Sequence, residues 1–522
     1  MDQLAAIKVT TDTVFSCEIV TDSTTTRHTS AIRAIDSILS LVSNYRYIFL
    51  ADDITVDFVK QNVADLSHIT HMTDYETSLF YYASFFSLEY LSCAELYRAA
   101  QELLEEWELY VDEHPKIHKK NLPKNYKKLI TRLSGIKNLC CSSSYFNTTQ
   151  KNEFSFFAES HRGGIICEGQ RERGTIEYGL AIDITSAYHA FEPFATYPVL
   201  CKAAFTKDFK SIFKYVERNK KLLMRGLHKF IFNDVTGYVV HVYLKGCYQK
   251  PNTKVDYFRF RGFEVSQMCP CFITLNALEL ASLLCDYEMS FTIVKAMTYP
   301  LAAAPIPVKV LRKYATDQKR QHKGCASYPA YKQGANTLSG KDQYNRLQNG
   351  LPLPLHCDTY YSIGVSDTLY TRLQLSYLLR QFWAVGAELC DIATDGFTAK
   401  GIDRDSAALI CAESNKLFSS DVGKLKIADV AVMHYASGNR AEWTDGKGRF
   451  YKVGGACRSE TQRLSELLST KTLQEFEQTA SSLAGAYYHL TSKSSIKKPQ
   501  LMKVGGEEIY TTYTYTERDD II

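Results

Sequence analysis

Two aspartates and a lysine, Asp183, Asp395 and Lys332, stand in short segments that suit one kind of chemistry. Asp183 closes an apolar run and begins Asp183-Ile-Thr-Ser186-Ala-Tyr188, while Asp395 follows another in Ala393-Thr-Asp395-Gly396. Between them lies Lys332-Gln-Gly-Ala-Asn336-Thr-Leu-Ser-Gly340, and before them His161-Arg162-Gly163-Gly164. Two carboxylates brought together by a fold can hold two divalent cations, and a nearby lysine can neutralise a triphosphate. Such a site clamps the attacking and leaving oxygens of an in-line displacement, which is nucleotidyl transfer. Taken singly, an aspartate after a strand is ordinarily a turn residue and Gly163-Gly164 a turn. The order of the four segments carries the reading.

Those residues need elements to hold them. Residues 179–184 are apolar enough for a buried strand, 237–244 alternate in β fashion, and 272–284 read as a strand running into a helix. The prolines of 300–307 suggest a break, and 308–340 reads as helical, with Arg320 among its cations. On that helix Lys332 and Asn336 fall at i and i+4, hence on one face. Residues 367–382 suggest an amphipathic helix, 388–397 a strand, and 460–483 a further helix. Nearer the N-terminus, 13–20 reads as a strand and 83–110 as helix, before a polar, proline-punctuated boundary at 112–128.

A chain of 522 residues exceeds one hydrophobic core and divides into several domains or subdomains. Its 45% hydrophobic and 23% charged content is that of an ordinary globular protein. No signal pattern and no membrane-length apolar run occur, so the expected setting is cytoplasmic, the host-cell interior or a virion, without a membrane partner. The 15 cysteines lack regular spacing and read as reduced thiols. A net charge of +4 makes any nucleic-acid channel a local feature.

In this order the four segments resemble those of family B DNA polymerases, specifically the protein-primed branch of phages, adenoviruses and linear plasmids. That branch carries a Tyr-x-Gly-Gly-like loop, then D-x-x-S-L-Y-P, K-x-x-x-N-S-x-Y-G and D-T-D-S. Asp183, Ser186 and Tyr188 match the second motif, with Ala187 and His189 in place of Leu and Pro. Lys332, Asn336 and Gly340 match the third, with Thr337 and Ser339 replacing Ser and Tyr. Asp395 matches the second aspartate of the last motif, and Ala393 stands in place of its first. The resemblance runs over roughly residues 1–455. It implies an α+β right-hand polymerase of palm, fingers and thumb, preceded by an RNase H-like exonuclease-type domain. The implied boundaries are 1–150 for that N-terminal domain and linker, 151–305 for the first part of the palm with an insertion, 306–340 for the fingers, 341–437 for the rest of the palm and 438–522 for the thumb.

The resemblance further implies a template-directed DNA polymerase of a virus or mobile element, working on a DNA template and primer with deoxynucleoside triphosphates. Its cofactors would be two Mg2+ (or Mn2+) ions, and a terminal-protein primer or other replication proteins would be further partners. Asp183 and Asp395 would hold the ions, with Asp391 offering a carboxylate about 7 Å along the strand face from Ala393. Lys332 and Asn336 would meet the triphosphate, with Arg320 as a second cation. Ser186 would lie at the nucleotide and Tyr188 beneath its sugar, excluding a 2′-hydroxyl. Arg162, Gly163 and Gly164 would let the backbone approach the template, and Lys400 or residues 440–452 would touch the primer.

In the N-terminal domain the family's nuclease carboxylates align with Glu18, Val20, Thr55 and Ala94, and its asparagine with Ala51. One carboxylate is left, although Asp52, Asp53 and Asp57 lie nearby, so no proofreading is expected. The short loop LPLPLHC after Gly340 implies weak strand displacement. Ala393 leaves two other readings open: a polymerase-shaped nucleic-acid-binding or structural protein without catalysis, and an RNA-synthesising or terminal-transferase variant.

Overall fold

The computed structural model describes residues 4–11, 14–45, 47–62, 79–86, 88, 91–117, 122, 126–135, 151–169, 171–260, 263–343, 347–348, 351–352, 360–435, 440–451, 464–469, 472–487, 500–504 and 506–511. Two compact units divide the chain, residues 1–139 with 306–341, and residues 140–305 with 342–522.

The first unit is built on a mixed sheet of β1 (Leu4–Thr10), β2 (Ser16–Thr21), β3 (Thr25–His28), β4 (Tyr47–Leu50) and β5 (Leu79–Tyr82), in the order β3-β2-β1-β4-β5. β1, β4 and β5 are parallel, and their continuous apolar runs suit strands covered on both faces. Helices α1 (Ala31–Asn44) and α2 (Asp53–Asn62) pack on Ala5, Ile7 and Val9. Helix α3 (Cys93–Glu113) runs along β1 and β2. It starts later than the pattern of 83–110 predicts, because Ser92 and Glu95 form a capping box, while Ala83–Phe86 is a single 3-10 turn. Helix α4 (Tyr126–Leu133) follows; much of the expected boundary at 112–128 lies outside the described residues.

The second unit opens with α5 (Lys151–Glu159), β6 (Ile165–Glu168), β7 (Ile176–Ile184), β8 (Thr196–Pro198), β9 (Ala204–Thr206), α6 (Phe209–Arg225), β10 (Thr236–Gln249), β11 (Cys271–Asn276), α7 (Ala277–Asp286) and β12 (Tyr287–Ala303). The break expected at 300–307 is almost absent. β12 runs through Pro300 because its ladder changes partner there, Thr236 pairing with Pro300 and Pro198 with Leu301. Pro307 is then accepted in the first turn of α8 (Ile306–Gln321), which with α9 (Tyr328–Gln343) belongs to the first unit.

The chain returns to the second unit with α10 (Tyr361–Ala384), β13 (Glu388–Thr394), β14 (Gly396–Lys400), α11 (Arg404–Asn415), β15 (Leu425–His434), β16 (Arg440–Thr444) and β17 (Lys447–Tyr451). A helical turn at 464–468, α12 (Leu473–Tyr487), β18 (Gln500–Val504) and β19 (Glu507–Thr511) follow. One sheet is fully antiparallel in the order β17-β16-β15-β7-β14-β13-β6. The other runs β18-β19-β11-β10-β12-β8, with β9 beside β12.

Helix α10 is not the amphipathic helix expected at 367–382. It is longer and buried on every face. Several of its polar groups find partners in place: Asp367 accepts from the Tyr197 hydroxyl at 2.9 Å, the Gln374 amide nitrogen donates to Ser414 Oγ at 3.1 Å, and Thr371 donates to the Asp367 carbonyl at 2.9 Å. The residues beyond Pro352 in the LPLPLHC loop lie outside the described residues. Among the described residues no helix is long and apolar enough to cross a membrane, and no cysteine is in a disulfide.

Candidate active site

Strand alternation decides where Asp183 points. Leu180, Ile182 and Ile184 of β7 are buried, so Asp183 faces the opposite, open side of the sheet, where it is exposed. β14 and β15 flank β7, placing Gly396 opposite Asp183 on one side and Lys426 opposite it on the other. The expected strand at 388–397 is a hairpin. Ala393 pairs with Gly396 across a two-residue turn of Thr394 and Asp395, with Thr394 at φ +53°. The Asp395 carbonyl accepts from the Ile184 amide at 2.9 Å, which docks this turn beside the end of β7. Gly396 makes the approach possible, since a Cβ there would stand 2.6 Å from the Ile182 carbonyl oxygen and 3.3 Å from Asp183 Oδ1.

The other segments converge on the same turn. A Cβ on Gly164 would lie 2.9 Å from Thr394 Cα, so this glycine serves the packing of loop against turn. Ser186 takes φ +51° and opens a 3-10 turn (Ala187–His189) that swings Tyr188 round. The Tyr188 hydroxyl hydrogen-bonds Thr394; burial, and then the neighbouring Asp395 carboxylate, push its pKa up. Thr394 Oγ1 donates to Asp395 Oδ1 at 2.8 Å. Ser186 and Thr394, two of the three described non-glycine residues at positive φ, therefore flank the two aspartates; such strain persists where the surroundings enforce it.

The Arg162 side chain points into the core. Its side chain is 2% exposed, lies 4.5 Å over the Phe258 ring and 3.9 Å from Glu279, and donates to the Arg259 carbonyl. A buried carboxylate and an aromatic face draw the guanidinium inward, although burial still lowers its pKa to about 10. Arg372 completes the cluster, donating to Glu279 Oε1 at 2.9 and 2.6 Å and to the Gly163 carbonyl at 3.1 Å. Gly163, at φ +68°, turns the loop over this clamp.

Asp391 lies two residues before Ala393 on the open face, but it is buried and ion-paired with Arg440, which also meets Glu442 at 3.3 Å. Lys400 is held by Glu177 at 2.7 Å and by Glu388 at 3.6 Å. Lys400, and Arg440 of the segment 440–452 expected near a primer, are thus engaged by carboxylates. In the first unit, Lys332 and Asn336 are exposed on one face of α9, while Tyr331, Ala335 and Leu338 are buried on the other. Arg320 is exposed in the last turn of α8. Glu18 lies opposite Lys8 and Arg27, and Asp52 caps α2 by accepting from the Thr55 amide at 2.8 Å and its hydroxyl at 2.7 Å.

Sequence reasoning missed Lys426. The string Gly-Lys-Leu-Lys426-Ile is unremarkable, and only the β7–β15 register sets this exposed lysine opposite Asp183. Among the described residues no group of three or more His, Cys, Asp or Glu is arranged for a metal. The neighbouring Asp183 and Asp395 nevertheless fit a hard cation, which takes oxygen ligands and draws the rest of its shell from substrate phosphates and water.

Two histidines, His161 half-buried and His241 buried, give the second unit a pH dependence. Burial first, then Arg372, lowers His161 from 6.5 to about 4, and burial first, then Lys295, does the same for His241. Both folded values lie below the unfolded one, so this contribution is complete above pH 6.5 and is lost as pH falls toward 4, on the order of a few kcal/mol in all. The urea midpoint is expected to drop between pH 7 and pH 5, and His241→Asn to flatten that drop. An unchanged slope in the variant would refute the assignment.

No protein-family model and no curated protein matches this sequence. Solved structures do share its fold. Phi29 DNA polymerase complexed with single-stranded DNA superposes with a TM-score of 0.53 at 10% identity, covering 99% of this chain and 100% of that one. Phi29 DNA polymerase complexed with primer-template DNA and incoming nucleotide gives a TM-score of 0.52 at 11% identity, covering 88% and 93%. The chain has the α+β fold of a protein-primed family B DNA polymerase.

Proposed function

We propose that this protein is a template-directed DNA polymerase that extends a primer with deoxynucleotides and does not proofread. One observation carries the reading: within this fold, Gly396 and the Asp395–Ile184 hydrogen bond set two aspartates side by side on adjacent strand ends. In this reading the first unit comprises the exonuclease-like domain and the fingers, and the second the palm and thumb.

Asp183 and Asp395 would hold divalent cations, Mg2+ or Mn2+, which when bound supply Lewis-acid activation of a primer hydroxyl and neutralise the leaving pyrophosphate. Thr394 fixes one Asp395 oxygen, so the other is left to face the reacting groups. Lys426 adds a point charge on the face of Asp183. On the first unit, Lys332 and Asn336 of α9 and Arg320 of α8 are exposed cationic and hydrogen-bonding groups of the kind a triphosphate takes. Ser186 shapes the turn beneath the nucleotide, and Tyr188, tethered at its hydroxyl to Thr394, presents its ring as the floor under the sugar. With Ala393 in place of a carboxylate and Asp391 committed to Arg440, the site has fewer oxygens for cations than its family and needs more metal.

Primer extension with deoxy- and ribonucleotides, in Mg2+ or Mn2+, tests the reading. Incorporation that prefers deoxynucleotides supports it. Absence of incorporation on every template would favour the non-catalytic alternative, to which Ala393 also points. Tyr188→Ala is expected to raise ribonucleotide use relative to deoxynucleotide use, and an unchanged ratio would remove Tyr188 from the floor. A 3′-mismatched primer incubated with metal and no nucleotide should stay intact; trimming abolished by Glu18→Ala would restore a nuclease.

A further inference from the structure

Helix α9 carries Lys332, yet what holds α9 is not on the helix itself. Two carboxylates one turn apart on α3 grip its start. Glu102 accepts from the Ser327 amide at 2.8 Å, just before α9 begins. Glu106 accepts from the Tyr314 hydroxyl of α8 at 2.7 Å and, through its other oxygen, from the hydroxyl of Tyr331, the residue immediately before Lys332. The Tyr331 ring is fully buried and stacks on His322, centroids 3.9 Å apart and planes 18° apart. α3 in turn packs along β1 and β2, and its Leu96, Leu103, Leu104 and Trp107 are all buried. A carboxylate accepting two tyrosine hydroxyls from two helices ties both to one point, and neither hydroxyl can rotate away without leaving a desolvated acceptor.

Resting on the polymerase reading, we propose that Glu106 is a positioning residue for the incoming triphosphate. Through Tyr331 it fixes the turn of α9 that presents Lys332, and the N-terminal domain, left with one of the aligned nuclease carboxylates, serves the reaction as the splint of the nucleotide-binding helix. Glu106 touches no substrate. It acts by setting where Lys332 stands, so its loss should be felt in nucleotide affinity.

The test compares Tyr331→Phe, Glu106→Gln, Glu106→Leu and Tyr314→Phe in the full-length chain, measuring deoxynucleotide KM, kcat, primer-template Kd and amide exchange over residues 328–336. Tyr331→Phe and Glu106→Leu are expected to raise KM about tenfold while kcat and DNA affinity change less than about twofold, since ordering is lost before chemistry. Glu106→Gln, which keeps one acceptor oxygen, should recover part of the loss, and Tyr314→Phe, remote from Lys332, should cost less than Tyr331→Phe. Exchange over 328–336 should quicken in step with KM. Quicker exchange with an unchanged KM, or a uniform loss of KM, kcat and DNA affinity, would reduce Glu106 to a stabilising residue and overturn the proposal alone. A wild-type chain that incorporates no nucleotide would overturn the polymerase reading and this proposal with it.

Discussion

Asp183→Asn and Asp395→Asn are each expected to lower nucleotide incorporation by about a thousandfold or more, while primer-template affinity stays within a few-fold of the wild type. Asparagine keeps the shape and one oxygen but removes the charge on which cation binding depends. The expectation is sharpened by the lack of a spare carboxylate: Ala393 has none, and Asp391 is ion-paired with Arg440. The complementary change, Ala393→Asp, places a carboxylate in register with Gly396, across which Asp183 stands, and should lower the Mg2+ concentration needed for half-maximal rate. Retention of activity in either asparagine variant would remove that aspartate from the site. A rise in metal requirement with Ala393→Asp would show that the site is built around a two-carboxylate set.

Gly396→Ala should cost about a hundredfold without touching any charge. Its methyl would stand 2.6 Å from the Ile182 carbonyl oxygen, a backbone atom that cannot swing aside, so the hairpin must move away from β7. Displacing a reacting constellation by a fraction of an ångström to an ångström costs about a hundredfold in rate. Gly164→Ala meets Thr394 Cα and Cβ at 2.9 Å and should act in the same direction, more mildly because a loop rather than a strand can yield. The check is single-turnover incorporation alongside thermal unfolding. A lower rate with Tm within a few degrees of wild type locates the damage at the turn, whereas a wild-type rate would show that the turn tolerates the shift.

Much of this was legible in the chain as letters. An apolar run ending in aspartate marked the strand of Asp183, and the structure then gives its face by burying alternate residues. The i, i+4 spacing placed Lys332 and Asn336 on one exposed helix face. These are local matters, governed by periods of two and 3.6 residues that a sequence displays directly. The motif order pointed to the fold that the structure shows.

What pairs with what was decided only in three dimensions. Arg162 reads as a cation beside two glycines, and only the placement of Glu279 and Phe258, far along the chain, turns it into the core. Asp391 reads as a spare carboxylate until Arg440 arrives from another strand. α10 reads as amphipathic because its polar side chains find partners only in the folded chain. Lys426 gains its meaning from a strand register, and Glu106 from two tyrosines over two hundred positions away. A charge's role depends on what neutralises it within a few ångströms, and sequence order does not fix that distance. The sequence alone determined which residues could do the chemistry and which elements carry them; the tertiary structure decided which charges are already spent on one another.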